Sequence, residues 1–412
     1  MRAPAVIGEP VFRYYFGAQT VSSFGSAMSW LAVTFAILRI GGSAADLGVV
    51  LAAGTVPSLL LMLFGGVAGD RWERRRILII ADLVMAAVMA SLAALLLTGH
   101  AMVWHFFVAE LVGGAAGAFS WPAGVGIYPT LVPTEQIQPG KSLLGMGNNT
   151  AQILGPPVAG ILVAVASPGW ALAADAASFL ISAALLSRLP RSRGAVQAGL
   201  SVWSDVRAGW REFVSRRWVW LMVLSFATYQ ATVLPAIFVL GPVFARDHLD
   251  GASSWAWILS ARAVGAILVG LVLLRWRPRR PLVASTAVIL LDLPFLAVLA
   301  IGLPLPVVVV TAAASSAGVV AADTVWESTF QSRVPQEVMS RVSSYEALGS
   351  SCINPLGFAL IGAVAALFGA GPVLVAALVG QVVVRIVLIA SPSIRSVKRD
   401  EHAAVQAVAE AG

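Results

Sequence analysis

The sequence predicts an all-α membrane protein with twelve transmembrane helices in two pseudo-symmetric six-helix bundles. Of the 412 residues, 58% are hydrophobic and 11% charged, whereas about 25% are charged in an ordinary soluble domain. Apolar runs of about 20 residues recur along the whole chain, and each is long enough to cross a hydrocarbon core about 30 Å thick. The longest polar interval, Leu189 to Trp218, divides these runs six and six.

The apolar runs define the predicted spans in chain order. The expected spans are 14–38, 46–68, 77–98, 102–122, 144–166, 169–189, 218–244, 252–274, 281–301, 304–326, 347–368 and 371–391.

The basic residues predict the orientation. Lys and Arg accumulate in loops that are not translocated. With the N-terminus in the cytoplasm, all but four of the 27 basic residues fall on the cytoplasmic side, so both termini are expected there. The N-terminal sequence lacks the pattern of a signal peptide, and we expect the first span to be retained. The exceptions are Arg39 and Arg246 at outer ends, and Arg262 and Arg385 within spans.

The spans predict two domains joined by a linker: residues 1–190, 191–217, and 218–412 with a short cytoplasmic tail. The second part of the linker has apolar residues at helical spacing, which predicts an amphipathic helix on the inner membrane surface. The alternative is a helix that packs only on protein. The apolar residues are Trp203, Val206, Trp210, Phe213 and Val214.

An internal repeat supports the two halves. An offset of 202 residues aligns Val132-Pro133-x-Glu135 with Val334-Pro335-x-Glu337, and it pairs Gly160 with Gly362. Each copy is a loop that leads into a helix rich in small residues, the fifth span of its half. Parallel repeats of this kind occur in transporters.

A charged loop between spans 2 and 3 carries the first family resemblance. The pattern Gly66-x-x-x-Asp70-Arg71-x-x-Arg74-Arg75 resembles the loop between helices 2 and 3 of major facilitator superfamily transporters, with Glu73 where that motif usually has Gly. The extended run DRWERRRILIIADL is similar to the macrolide-efflux and enterobactin-exporter branch of the superfamily. The resemblance implies a conformational latch in which Asp70 meets the cytoplasmic start of helix 11. We expect Glu73 to point to water, although it could also compete for the arginines. The alternative is that the charged loop has no latch function and that its cations only set the orientation of the chain in the membrane. The latch residues are Gly66, Asp70, Arg71, Arg74 and Arg75.

The fifth span contains Gly155, Pro156, Pro157 and Gly160. Gly allows close helix packing, and Pro removes a backbone hydrogen bond and bends a helix. The run resembles the Gly-Pro motif of drug/proton antiporters within the superfamily, which implies export. Generic small-residue packing is the alternative.

Ionisable residues within spans are costly and are default candidates for function. In the superfamily, helices 1, 4, 7 and 10 line the central cavity and helices 2, 5, 8 and 11 lie at its sides. The resemblance therefore favours Glu110, Arg262 and Asp323 for proton coupling. Related antiporters have Arg in helix 4, so the acid here makes Glu110 itself the candidate carrier. We expect structural roles for Asp175, Asp292 and Arg385.

Other polar and aromatic residues of these helices are candidates for the substrate cavity. Trp or Tyr beside an amide suits an amphipathic, partly aromatic substrate, although such residues often only bond neighbouring helices. The candidates are Gln19, Ser22, Ser23, Trp30, Asn148, Asn149, Gln152, Tyr229 and Gln230.

These observations predict a proton-coupled secondary exporter of an amphipathic small molecule, such as a drug, antibiotic or secondary metabolite, that works by alternating access. An uptake carrier or facilitator of the same fold is the alternative, and a non-transporting receptor is a weaker one. The sequence contains no nucleotide-binding Gly-x-x-x-x-Gly-Lys-Ser/Thr motif and no metal-ligand or catalytic cluster, so we expect no enzyme activity, cofactor or metal. The expected partners are the substrate, protons and the lipid bilayer, without nucleic acid. We expect a monomer in the plasma membrane.

Overall fold

The computed structural model describes residues 5–191 and 210–398. Within them the side chains at positions 5, 63, 66, 67, 69–71, 336, 337, 340, 341 and 344 are not described, and these positions include Gly66, Asp70 and Arg71 of the predicted latch. The described part is helical. We number the twelve long helices α1 to α12, of which α11 has two segments: Pro10–Arg39, Ala44–Arg71, Arg74–Leu97, Val103–Ile127, Ile137–Val165, Pro168–Leu186, Arg217–His248, Ala252–Leu273, Pro281–Ile301, Leu305–Arg333, Gln336–Ser351 with Asn354–Phe368, and Ala370–Ala390.

Eleven helices of the described chain are long and apolar enough to cross a membrane. The twelfth, α5, has 29 residues and is therefore long enough, but Lys141, Asn148, Asn149 and Gln152 make it more polar than the rest. Helix α5 begins seven residues before the expected position 144, and α10 continues to Arg333. The predicted fold class is confirmed, and the differences lie mainly at helix ends, where apolar pattern is a weak guide.

Three helices depart from regular α geometry. In α7, Ala236–Leu240 winds as a π-helix directly after Pro235, where the missing N–H of proline breaks the regular ladder. Helix α9 contains a 3-10 turn at Ile289–Leu291. Helix α11 consists of two segments, Gln336–Ser351 and Asn354–Phe368, and the lone Cys352 lies at the break between them rather than inside a continuous helix.

The chain divides into two compact units. The first comprises Met1–Gly199, Leu234–Ala263 and Asn354–Val373, and thus holds the first six helices together with parts of α7, α8, α11 and α12. The second comprises Leu200–Val233, Val264–Ile353 and Leu374–Gly412.

Candidate functional site

Helices α2 and α4 pack closely in the first unit, and Glu110 lies in their contact. A Cβ added to Gly54 of α2 would come within 2.7 Å of Oε2 of Glu110, and Gly114 lies against the Gly54 carbonyl. Ser58 donates hydrogen bonds to the carbonyls of Gly54 and Gly114, at 2.9 and 3.0 Å. The Glu110 carboxyl therefore lies beside α2, at a place where only glycine leaves room for it.

Two glycines that the internal repeat pairs make equivalent contacts in the first unit. Gly160 of α5 packs against Ala256 of α8, and an added Cβ would lie 2.7 Å from the alanine Cβ. Gly362 of α11 packs against the Ala44 backbone of α2, where a side chain has no room. We call these two contacts the closure layer. The layer joins α5 to α8 and α11 to α2 near the ends at which α2 and α8 begin.

Two further contacts lie in the same unit. Gly48 of α2 packs against the Phe358 carbonyl of α11. Trp30 of α1 meets Phe238 of α7 edge to face, with ring centroids 5.7 Å apart. The Trp30 side chain is 38% exposed, so an aromatic surface remains available beside this contact.

The other predicted cavity residues of the first unit are open to contact. Gln19, Asn148, Asn149 and Gln152 are exposed, and Ser22 and Ser23 are half-buried. Gly155 and Pro156 of α5 are buried, and the helix continues through both prolines. Gly155 lies against Ala27 of α1, 2.6 Å from an added Cβ, which is a contact within the first six helices.

The second unit contains a buried polar network that sequence reasoning treated as separate residues. Asp292 accepts a 2.6 Å hydrogen bond from the Tyr229 hydroxyl and another from Ser315. Arg385 donates to Ser225 and, at 2.8 Å, to Gln381, and its charge interacts with Tyr229 and Asp292. The network links α7, α9, α10 and α12. Tyr229, expected in the cavity, is buried here.

Arg262 is half-buried in the first unit, and Gln230 is half-buried in the second. Asp323 is an exposed residue of α10 in the second unit. It interacts electrostatically with Glu327 one turn later, and both interact with Glu346 of α11. This part of α10 therefore has a negative face, which the spacing of Asp323 and Glu327 indicates in the sequence.

The charged loop caps neighbouring helices. The Arg74 guanidinium donates to the Gly126 carbonyl at the end of α4, at 2.7 Å. Arg75 donates to the carbonyls of Ser187 and Leu189, after the end of α6, at 2.7 and 2.6 Å. Cations at such carbonyls are favourable because these groups lack partners within their own helix.

The expectation that Glu73 points to water is wrong. Glu73 pairs with Arg76, with 2.8 Å between Oε2 and Nε, and its side chain is only 13% exposed. The side chains of Asp70 and Arg71 lie outside the described residues, as do Trp203 and Val206 of the predicted amphipathic helix. At the described end of that segment, Trp210 and Phe213 pack on Tyr345.

Comparisons with known proteins identify the family. The chain matches the transmembrane secretion effector family over residues 3–410. It is 29% identical over 372 residues to the multidrug efflux pump Tap of Mycolicibacterium fortuitum, covering 86% of this chain and 89% of that protein. Macrolide efflux protein A of Streptococcus pyogenes is 25% identical over 266 residues, 64% of this chain and 65% of that protein.

The fold has solved counterparts. The crystal structure of the nucleoside transporter NupG superposes with a TM-score of 0.70 at 14% identity, covering 94% of this chain and all of that one (100%). At this identity the match supports the fold alone, and it agrees with two bundles of six helices. The family consists of transporters and not of enzymes. The chain is therefore a multi-pass membrane protein of the transmembrane secretion effector family, within the major facilitator superfamily.

Proposed function

We propose that this protein exports an amphipathic, drug-like small molecule and is driven by protons. The observation that carries the proposal is the match to an efflux pump along nearly the full length of both chains. The partly exposed Trp30 and the exposed amides of α1 and α5 support an amphipathic, partly aromatic substrate. The negative face of α10 favours a substrate that carries an amine.

We propose alternating access as the mechanism, with the closure layer as one of its gates. Its contacts depend on glycines at which side chains have no room. Gly160 and Gly362 are equivalent in the repeat, so both contacts can open and close together. The excess of basic residues in loops at the other ends of the helices supports a cytoplasmic location for those ends and for both termini. The gate then faces the outside of the plasma membrane.

Glu110 is the proposed proton carrier. Its carboxyl lies in a helix contact beside Gly54, where there is no room for a side chain from α2. A carrier must be charged in one state and neutral in the other, and a helix contact that changes during transport can provide both environments. Asp323 and Arg262 are the remaining candidates. We propose that one chain, without a partner subunit, is sufficient for transport.

Transport into everted membrane vesicles tests the function. The panel contains a macrolide, other amine-bearing amphiphiles and neutral amphiphiles of similar size. We expect uphill uptake of an amine-bearing compound when a proton gradient is imposed, and loss of that uptake with a protonophore. Uptake that follows a sodium gradient instead would contradict proton coupling. Accumulation in intact cells, rather than in everted vesicles, would favour the alternative of an uptake carrier.

A further inference from the structure

Arg39 and Arg246 lie at the ends of helices opposite to the cationic loops. Each is in the last turn of its helix, α1 and α7 respectively. Most other basic residues concentrate at the opposite helix ends, where Arg74 and Arg75 cap α4 and α6. Topology therefore does not account for these two arginines.

Both arginines line one cavity in the first unit. It has a volume of about 330 Å³ and lies among the ends of α1, α5 and α7 and the start of α8. Its remaining walls are mostly apolar. The lining residues are Phe35, Leu38, Arg39, Val163, Ala164, Arg246, Asp250, Ala252 and Ser253.

The charges of the lining favour an anion. Two arginines and one carboxylate residue, Asp250, line the cavity. Arg246 pairs with Asp247 through Nε, 2.7 Å from Oδ1, and through Nη2, 3.3 Å from Oδ2. Arg39 has no hydrogen-bond or ion-pair partner among the described residues, so it is the guanidinium with its full donor set available to an anion. A guanidinium is planar, keeps its charge and binds phosphate through two parallel hydrogen bonds.

We propose that this cavity binds the phosphate headgroup of an anionic phospholipid. The apolar walls suit the adjoining glycerol and acyl groups. The arginines stand at the ends of spans, which is the depth at which a bilayer presents its headgroups. A soluble anion would use the two guanidinium groups but would gain nothing from the side chains of Phe35, Leu38 and Val163.

The position of the cavity indicates what a bound lipid headgroup does to the helices around it. Its walls come from α1 and α5 on one side and from α7 and α8 on the other. The closure layer joins α5 to α8 nearby, through Gly160 and Ala256. A headgroup held by both arginines therefore bridges the two sets of helices and stabilises the closed arrangement. This consequence does not depend on the direction of transport.

Native mass spectrometry of the purified full chain from nanodiscs tests the site. The discs contain either phosphatidylglycerol in phosphatidylcholine or phosphatidylcholine alone. We expect retained phosphatidylglycerol, and about a tenfold loss of retention for each of Arg39→Gln and Arg246→Gln. The matched control is Arg188→Gln with Arg191→Gln, which removes two exposed arginines at the other end of the helices. Equal retention in all variants, or equal retention of phosphatidylcholine, would overturn the proposal.

A distance measurement tests the bridging. Spin labels are placed at the exposed positions Val165 of α5 and Trp257 of α8, in a Cys352→Ser background. We expect phosphatidylglycerol to narrow the distance distribution in the parent protein but not in Arg39→Gln/Arg246→Gln. Inorganic phosphate alone is the third arm. If it narrows the distribution equally at its physiological concentration, the ligand is a free anion and the lipid assignment is wrong.

Discussion

The Tyr229 hydroxyl donates a hydrogen bond to Asp292, with 2.6 Å between Oη and Oδ2, and both side chains are buried in the second unit. Arg385, which is 0% exposed, interacts electrostatically with both residues. A hydrogen bond to a charged group contributes about 1.5–3 kcal/mol, and a neutral amide at position 292 is a weaker acceptor for the Tyr229 and Ser315 hydroxyls. We expect Asp292→Asn to lower the unfolding free energy by about that amount, measured by thermal unfolding in detergent.

Two variants separate charge from packing in this network. Asp292→Asn combined with Arg385→Gln removes both charges, and we expect it to be more stable than Asp292→Asn alone. Tyr229→Phe keeps the ring and should cost about 1.5–3 kcal/mol, the value of a hydrogen bond to a charged group. The effect of Arg385→Gln alone is measured as well. If the unfolding free energy of the double variant falls by the sum of the decreases in Asp292→Asn and Arg385→Gln, the two charges act independently.

Glu110→Gln tests the proton carrier. The amide keeps the shape of the side chain beside Gly54 but cannot exchange a proton. We expect uphill efflux driven by a proton gradient to be lost, while substrate binding stays within about threefold of the parent, since the change is isosteric. Efflux assays in everted vesicles and equilibrium binding measure the two properties. A Gln variant that still pumps uphill would exclude Glu110 and leave Asp323 as the next candidate.

Gly160→Leu tests the closure layer. A Cβ at this position would lie 2.7 Å from Cβ of Ala256, so a leucine pushes α5 away from α8. We expect insertion in the membrane but at least a tenfold loss of transport, with a longer Val165–Trp257 spin-label distance. Gly145→Leu is the matched control on the same helix, because a Cβ there meets nothing within 4 Å. Equal activity of the two variants would contradict a gating role.

Gly155→Leu tests a different contact of α5. The clash is with Ala27 of α1, so we expect it to disturb packing within the first six helices rather than between the halves. The predicted result is insertion, a lower melting temperature and lost transport. Wild-type transport in this variant would reduce the Gly-Pro run to generic packing.

Asp70→Asn tests the latch in the charged loop. The substitution keeps the excess of cations that sets the topology and removes only the acid. We expect normal insertion, lost turnover and a shift toward the state that is open to the cytoplasm, measured by spin-label distances across that face. Glu73→Gln is the control, because Glu73 is engaged by Arg76. Unchanged distances and rate in Asp70→Asn would leave the loop as a topology signal.

The helices were predictable from the sequence because apolar length is a strong local signal. The repeat also paired Gly160 with Gly362, and the structure shows their contacts to be equivalent. Helix α5 is the least apolar of the predicted spans, because it contains Lys141 and several amide side chains. The break at Cys352 was not predicted, because the span 347–368 carries no proline or charge between Gly349 and Ile353 to mark it.

The polar networks were less predictable because each depends on residues far apart in the chain. Asp292 and Arg385 were recognised as costly within spans, but Tyr229 was assigned to the cavity, since one sequence does not reveal which face of α7 meets α9. The cavity lined by Arg39 and Arg246 was not predictable for the same reason. Its residues lie on four helices and in the loop between α7 and α8, and each is ordinary in its own segment of the sequence.

The π-helical segment of α7 changes the angular position, around the helix axis, of every side chain beyond it. A π turn contains one residue more than an α turn, and one residue corresponds to about 100° of rotation around a helix. Arg246, which lines the cavity, lies beyond this segment, so the extra residue in Ala236–Leu240 contributes to the direction in which its side chain points. We expect deletion of one residue there to turn Arg246 away from the cavity, although the arginine itself is unchanged.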